Sequence, residues 1–548
     1  MRSHALFSCA AVLSLAASAC SNNDIRVVFS SRRGFVAGAS TEVAASSVPA
    51  RIAVLPPGDA APVVATVQQN VATAPGVGVG PNVLELRFAP RAEYPMDPQS
   101  LVQYPITTAR TVRVGGNYWA RPETVAMASD ARLTLSVTTT SPIAEKDDFS
   151  WISLRSYFYR SVRFDSTAMT QMGLPAVGAT STSGWTIGAS DLALPYGDDA
   201  SGLPAAASND DLMLLHSRTT KLARNTPEFD PWNVAKFTRV IGVLPVTGAS
   251  FDNRGANLVA GMMVAPQMAP ITVDFRATSF AALRDGEVVD ARTVMDATLS
   301  MSQEAGNGPG YFTSVAVPNW SLSATTGGRP ANPTCYPNEN RECPDPSCNG
   351  RCDRTVVDVR DPGDLSYTFD APRVHTSGMR DVISASVRLT RAWFEPMGDR
   401  SAYIMATSSI TRLWSAQGAP LQLSINPVRN IMVGDGPPLN WTEVSAVGDA
   451  PRVQFDAPEG TAPEYYVVSV LEVFPAVASA DEYRFPSVVA RVYTRERSLR
   501  VPSGVLRAGS LYFLRVAAVR DGRDFAQPYV SMSDEIQSTE VFTPVFKR

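Results

Sequence analysis

Apolar and polar positions alternate with period two along much of this chain. Leu84, Leu86 and Phe88 are separated by Glu85 and Arg87, and Leu133, Leu135 and Val137 by Thr134 and Ser136. Ile271, Val273 and Phe275 repeat the pattern, and Ile383, Ala385, Val387 and Leu389 extend it. Successive side chains of a strand point to opposite faces, so each stretch predicts a strand with one buried face. Trp151 to Phe164 is richer in apolar residues and predicts one central strand with an irregularity. Only Phe280-Ala281-Ala282-Leu283-Arg284, stopped by Gly286, has the character of one or two helical turns. No stretch carries a helical heptad, and no internal repeat has a fixed period. The expectation is an all-β chain built of several β-sandwich-like domains in tandem.

Length and composition refine this picture. A chain of 548 residues exceeds what one core can hold. Its 42 Pro and 36 Gly, with charged residues at 18%, suit short strands joined by turns. Residues 20–50, small and polar with Gly34, Gly38 and the run Ala44 to Ser47, read as a flexible tether. Residues 51–209 read as a first β-sandwich-like domain, ending near the loop Gly197 to Gly202. A second β domain over 210–425 opens at Leu212-Met213-Leu214-Leu215 and carries an insertion at 330–353, where Pro, Asn, Asp and Cys supply turns and almost no apolar face. Residues 426–548 form the last domain. With 48 Lys and Arg against 52 Asp and Glu, and no basic run long enough to follow a phosphate backbone, a nucleic-acid partner is excluded from the expectation.

The N-terminus decides where these domains fold. Met1-Arg2-Ser3-His4 is a short basic start, Ala5 to Leu15 is apolar, and Ala17-Ser18-Ala19 supplies the small residues of a cleavage site, so residues 1–19 read as an export signal. The segment is too short to span a membrane. Ala17-Ser18-Ala19-Cys20 resembles the lipobox of bacterial lipoproteins, with Ala17 where that family usually has Leu. The resemblance implies that Cys20 is lipidated and that acyl chains hold the body to a membrane. Ser21, in place of Asp, implies the outer membrane or cell surface. Ordinary signal removal would leave Cys20 as a free thiol instead. Of the 6 cysteines, Cys9 leaves with the signal and Cys335, Cys343, Cys348 and Cys352 cluster far downstream, so Cys20 is the odd one, and lipidation accounts for it.

The C-terminal portion carries a second resemblance. Arg452-Val453-Gln454-Phe455 precedes Pro458, then comes the Tyr-rich run Tyr465 to Val473, and later Leu506-x-x-Gly509-x-x-Tyr512 opens a long apolar stretch. This order is similar to a fibronectin type III module, with Phe455 where the family usually has Trp. The resemblance implies an immunoglobulin-like sandwich with a tyrosine corner at Tyr512, whose hydroxyl satisfies a backbone group while Gly509 permits the tight entry. Such modules bind proteins or glycans or merely space other domains, so they imply no single activity.

Candidate chemistry is sparse. Four thiolates from Cys335, Cys343, Cys348 and Cys352 could hold zinc, but in an exported chain they are expected to form two disulfides that pin the insertion, with three pairings open. Asp345, Asn349 and Asp353, and separately Asp198, Asp199, Asp210 and Asp211, offer loop oxygens of the kind calcium takes; neither set has the Asp-x-Asp-x-Asp-Gly pattern, and no cofactor is expected. His216 and His375 are the histidines left after the signal, outside any His-Glu-x-x-His, and no Gly-x-Ser-x-Gly elbow occurs. Tyr118-Trp119, after the turn Gly115-Gly116-Asn117, is the candidate aromatic pair for a ligand. The functional expectation is a non-catalytic cell-envelope lipoprotein that binds protein or polysaccharide. A polysaccharide-acting hydrolase, with acids such as Asp147 or Asp198 converging in a cleft, and a passive envelope scaffold are the alternatives.

Overall fold

The computed structural model describes residues 23–34, 40–44, 48–58, 60–89, 100–106, 109–114, 117–118, 124–125, 130, 132–144, 148–155, 162–165, 177–181, 185–188, 203–204, 212–220, 234–246, 254–276, 279, 293–305, 317–325, 364–373, 379–395, 401–414, 420–474, 486–526 and 534–548. Among them there is no α-helix, and the chain is all-β as its alternation predicts.

The first strands are β1 (Ile25–Gly34), β2 (Ser40–Ala44), β3 (Arg51–Leu55), β4 (Val63–Val64) and β5 (Thr66–Gln68). They are followed by β6 (Val71–Ala74), β7 (Asn82–Phe88), β8 (Ser100–Ile106), β9 (Thr111–Val114) and β10 (Asn117–Tyr118). One sheet centres on β1, which pairs antiparallel with β6 and parallel with β9. The other runs β4, β3, β7, β8, all antiparallel. Ile25, Val27 and Phe29 from β1 pack with Ile52, Leu84 and Leu86 to make the core between them. The tether expected over 20–50 is therefore corrected. Ile25, Val27 and Phe29 alternate inward and are fully buried, whereas the glycines and small residues that suggested a tether begin only at the end of this strand.

The middle of the chain supplies β11 (Thr124–Val125), β12 (Arg132–Thr138), β13 (Asp148–Arg155), β14 (Val162–Asp165) and β15 (Trp185–Gly188). Then come β16 (Leu203–Pro204), β17 (Leu212–Thr220), β18 (Val234–Val246), β19 (Ala256–Met262) and β20 (Gln267–Phe275). The long strands β21 (Thr293–Ala305), β22 (Val317–Thr325), β23 (Leu365–Arg373), β24 (Met379–Phe394) and β25 (Ser401–Leu413) complete this part. The apolar run at 151–164 is a hairpin rather than one strand, because Trp151 to Leu154 pair with Val162 to Asp165. A continuous antiparallel ribbon runs β14, β13, β17, β18, β22, β21, β24, β25. The pair β20–β23 covers part of it, with Ile271, Val273 and Phe275 packed against Leu299, Met301 and Val387. Among the described residues strand pairing joins the first region to the second through β13 with β17 and β12 with β19, so these two regions share sheets.

The chain closes with β26 (Arg429–Val433), β27 (Ser445–Ala446), β28 (Arg452–Asp456), β29 (Tyr465–Phe474) and β30 (Ser487–Thr494). The last are β31 (Ser498–Arg500), β32 (Leu511–Arg520), β33 (Glu535–Phe542) and β34 (Phe546–Lys547). Two sheets face each other, β26–β28–β31 against β30–β29–β32–β33. Val453, Phe455, Val468, Val470, Leu514 and Val516 fill the space between them. Gly509 has φ +80°, and the Tyr512 hydroxyl accepts from the Arg507 amide at 2.8 Å while donating to Glu472 Oε1 at 3.1 Å.

Both edges of the larger sheet are taken. Leu101 to Gln103 of β8 lie parallel beside Ala490 to Val492 of β30, and Ser409 to Arg412 of β25 lie antiparallel beside Glu535 to Ser538 of β33. One hydrogen-bonded surface thus extends from β4 through β29 and β32 to β14, and neither edge of the larger sheet is left to pair with a stranger. The outer face of β29 and β32 is shared. Leu471, Val473, Leu511 and Phe513 enter the core of the middle region, and Tyr465, Ala517 and Val519 enter that of the first. Between the two cores Arg515 approaches Glu540 at 3.8 Å, and that carboxylate also accepts the Thr407 amide at 3.0 Å.

Candidate functional site

A cleft opens where the first region meets the C-terminal sandwich. The parallel ladder between β8 and β30 lasts only from Leu101 to Gln103. Pro105, two residues on, has no N–H to extend it. The strands part there and enclose a volume of about 560 Å³ between β7 and β8 on one side and β30, β31 and the turn after β32 on the other. Val83, Ile106, Ala109, Leu499, Tyr493 and Phe525 give it largely apolar walls, and Arg495, Glu496, Arg500 and Asp524 stand at its mouth.

Its floor is a rigid aromatic cluster. Tyr104 stacks on Tyr493 with ring centres 4.8 Å apart, and Phe525 meets Tyr465 edge-on at 5.2 Å and Tyr493 at 6.0 Å. Asp521, almost wholly buried, accepts the Tyr465 hydroxyl at 2.9 Å and the Arg523 guanidinium at 2.8 Å. That guanidinium lies 5.7 Å from the Tyr465 ring centre and 5.6 Å from that of Tyr493. Burial pushes the Tyr465 phenol far above its ordinary range; Arg523 opposes the shift and Asp521 adds to it. Burial disfavours the Arg523 charge, but Tyr465, Asp521 and Tyr493 outweigh it and hold the guanidinium protonated. Beneath the cleft Glu85 accepts from Gln103 at 2.9 Å and from Arg87 at 2.8 Å, so the amide of Gln103 is committed. Its lining residues include the carboxylates Glu496 and Asp524 and neither histidine nor cysteine.

None of the residues singled out from sequence for chemistry is among the described lining of the cleft. Cys20, Cys335, Cys343, Cys348, Cys352, Trp119 and His375 lie outside the described residues, as do Asp147, Asp198, Asp199, Asp210, Asp211, Asp345, Asn349 and Asp353, and the turn expected at 280–284. Tyr118 is in β10, its backbone beside Arg33 of β1. His216 is fully buried in β17, and its Nδ1 and Nε2 have no hydrogen-bond partner among the described residues. Burial, reinforced by Arg218, lowers its pKa from 6.5 to about 4, so the imidazole is neutral at ordinary pH. Among the described residues no group of three or more His, Cys, Asp or Glu could hold a metal ion, and no helix is long and apolar enough to cross a membrane. Sequence reasoning missed Tyr493, Phe525 and Arg523; the proline inside β8 was the one local sign that pairing ends there.

No protein-family model matches the chain, and no curated protein matches it in sequence. Among solved structures it aligns with Escherichia coli alpha-2-macroglobulin activated by porcine elastase, at 9% identity and a TM-score of 0.13, over 96% of this chain and 44% of that one. The chain thus spans less than half the length of that protein, and a likeness at this level carries no functional argument.

Proposed function

We propose that this protein is a non-catalytic, lipid-anchored cell-envelope protein whose C-terminal module is of fibronectin type III kind, and that it binds its ligand in the fork between β8 and β30. The observation that carries this reading is the cleft of about 560 Å³, a size suited to a small ligand or one segment of a polymer, walled by aromatic and aliphatic groups. The rigid cluster below it keeps the walls in place without a ligand, which spares part of the ordering cost of binding. The order of strands in the two C-terminal sheets and the bond from Arg507 to the Tyr512 hydroxyl support the module assignment. The signal and Cys20 support the anchor.

Two experiments test it. Cells given labelled palmitate should incorporate it into this protein, and Cys20→Ala should abolish the label. The full-length protein should bind envelope material of the producing cells saturably. Ala109→Trp, which fills the cleft, should remove that binding. Saturable binding unchanged by Ala109→Trp would place the ligand elsewhere, and no binding to any envelope fraction would leave the scaffold reading.

A further inference from the structure

We infer that the cleft takes a neutral saccharide, an inference that rests on the cleft being the ligand site. The charges at the mouth balance. Arg523 is paired with buried Asp521, which leaves Arg495, Arg500, Glu496 and Asp524 around the opening. All four are exposed and none is in an ion pair among the described residues. Two cations and two anions make no net field to draw in a uronate, a phosphate or a basic peptide. They do bring planar donors and planar acceptors to one opening. Adjacent sugar hydroxyls, each a donor and an acceptor at once, are matched by that mixture.

Inside, the walls turn apolar. Tyr493, Leu499, Val83 and Ala109, all partly exposed, offer surfaces on which the C–H faces of a sugar ring can pack while its hydroxyls reach the mouth. An extended peptide added as a strand is disfavoured by the feature that opens the fork. Pro105 presents no N–H on the β8 side, and main-chain hydrogen bonds are what such a peptide depends on.

The test is calorimetric titration of the full-length protein with maltohexaose, cellohexaose and mannohexaose, with hexagalacturonate as the charged comparison. At least one neutral oligomer is expected to bind, with affinity almost constant from about 50 to about 500 mM salt, because no net charge is being screened. Glu496→Ala, Arg500→Ala and Ala109→Trp should each weaken that binding about tenfold or more. Tighter binding of hexagalacturonate, binding of no neutral oligomer, or neutral binding indifferent to all three variants overturns the inference. If no neutral oligomer binds yet envelope binding is still lost in Ala109→Trp, the saccharide falls and the cleft stands. If envelope binding survives Ala109→Trp, both fall.

Discussion

His216 should make β17 sensitive to mild acid. Its imidazole is fully buried, with neither nitrogen hydrogen-bonded among the described residues, and sits at a register shift opposite Gly242 of β18. The unfolded imidazole takes up a proton below pH 6.5, the buried one only below about 4. Between these values the unfolded chain holds more protons, so the neutral histidine's contribution to stability is fully present above 6.5 and is lost as pH falls toward 4. Below that both states are protonated and nothing further is lost. A difference of this size corresponds to about 3 kcal/mol in all, of which about 2 kcal/mol falls between pH 7.5 and 5. Carboxylates also begin to titrate there, so the useful quantity is the difference from His216→Met, which keeps the bulk and removes the proton site. Hydrogen exchange of the β17 amides gives the local opening free energy in each chain, and the intrinsic pH effect on exchange cancels between them. Wild type should lose about 2 kcal/mol more than the variant over that range. Equal losses in both would refute the reasoning, for they would mean that the buried imidazole accepts its proton at no cost to the fold.

Other expectations follow from the junctions. Phe513→Ala, which empties a site where β32 enters the core of the middle region, should cost about 3 to 5 kcal/mol in urea unfolding and raise exchange in β25 as well as β32. Tyr512→Phe leaves Glu472 and the Arg507 amide without their partner and should cost about 1 to 2 kcal/mol in the same assay. Asp521→Asn strips Arg523 of its counter-ion and should cost about 3 kcal/mol, with increased exchange at the β8–β30 fork. Leu258 and Met262, both more than half exposed on β19, should accept Thr and Lys within about 0.5 kcal/mol, since neither contributes to a core.

Much of the fold was legible because burial on one face writes itself as alternation. Leu133, Leu135 and Val137 alternate in the sequence and are buried in β12, and Ile383, Ala385 and Val387 do the same in β24. Tyr465 to Phe474 is apolar almost without interruption because β29 is covered on both faces, by its own sandwich on one and by two neighbouring cores on the other. What could not be read was partnership between distant segments. Nothing local joins Leu101 to Ala490 or Leu133 to Asn257, since a parallel pairing has no turn chemistry to announce it. The cleft depends on one of these pairings, so its aromatics looked like ordinary strand residues. Tyr118 and Trp119 drew notice because a glycine turn precedes them, whereas Tyr493 stands in a plain strand and acquires its setting only when β8 arrives.

Because the sandwich that both flanking regions lean on is delivered after them, order of synthesis and order of completion run opposite ways. Strand β8 is synthesised long before β30 exists to receive it, and β25 before β33. Until then each early region presents an open strand and a bare apolar face, the features that chaperones hold and proteases seek. Assembly is therefore slow to commit and late to close, and a chain cut short upstream of β29 would forfeit two domains it had already made.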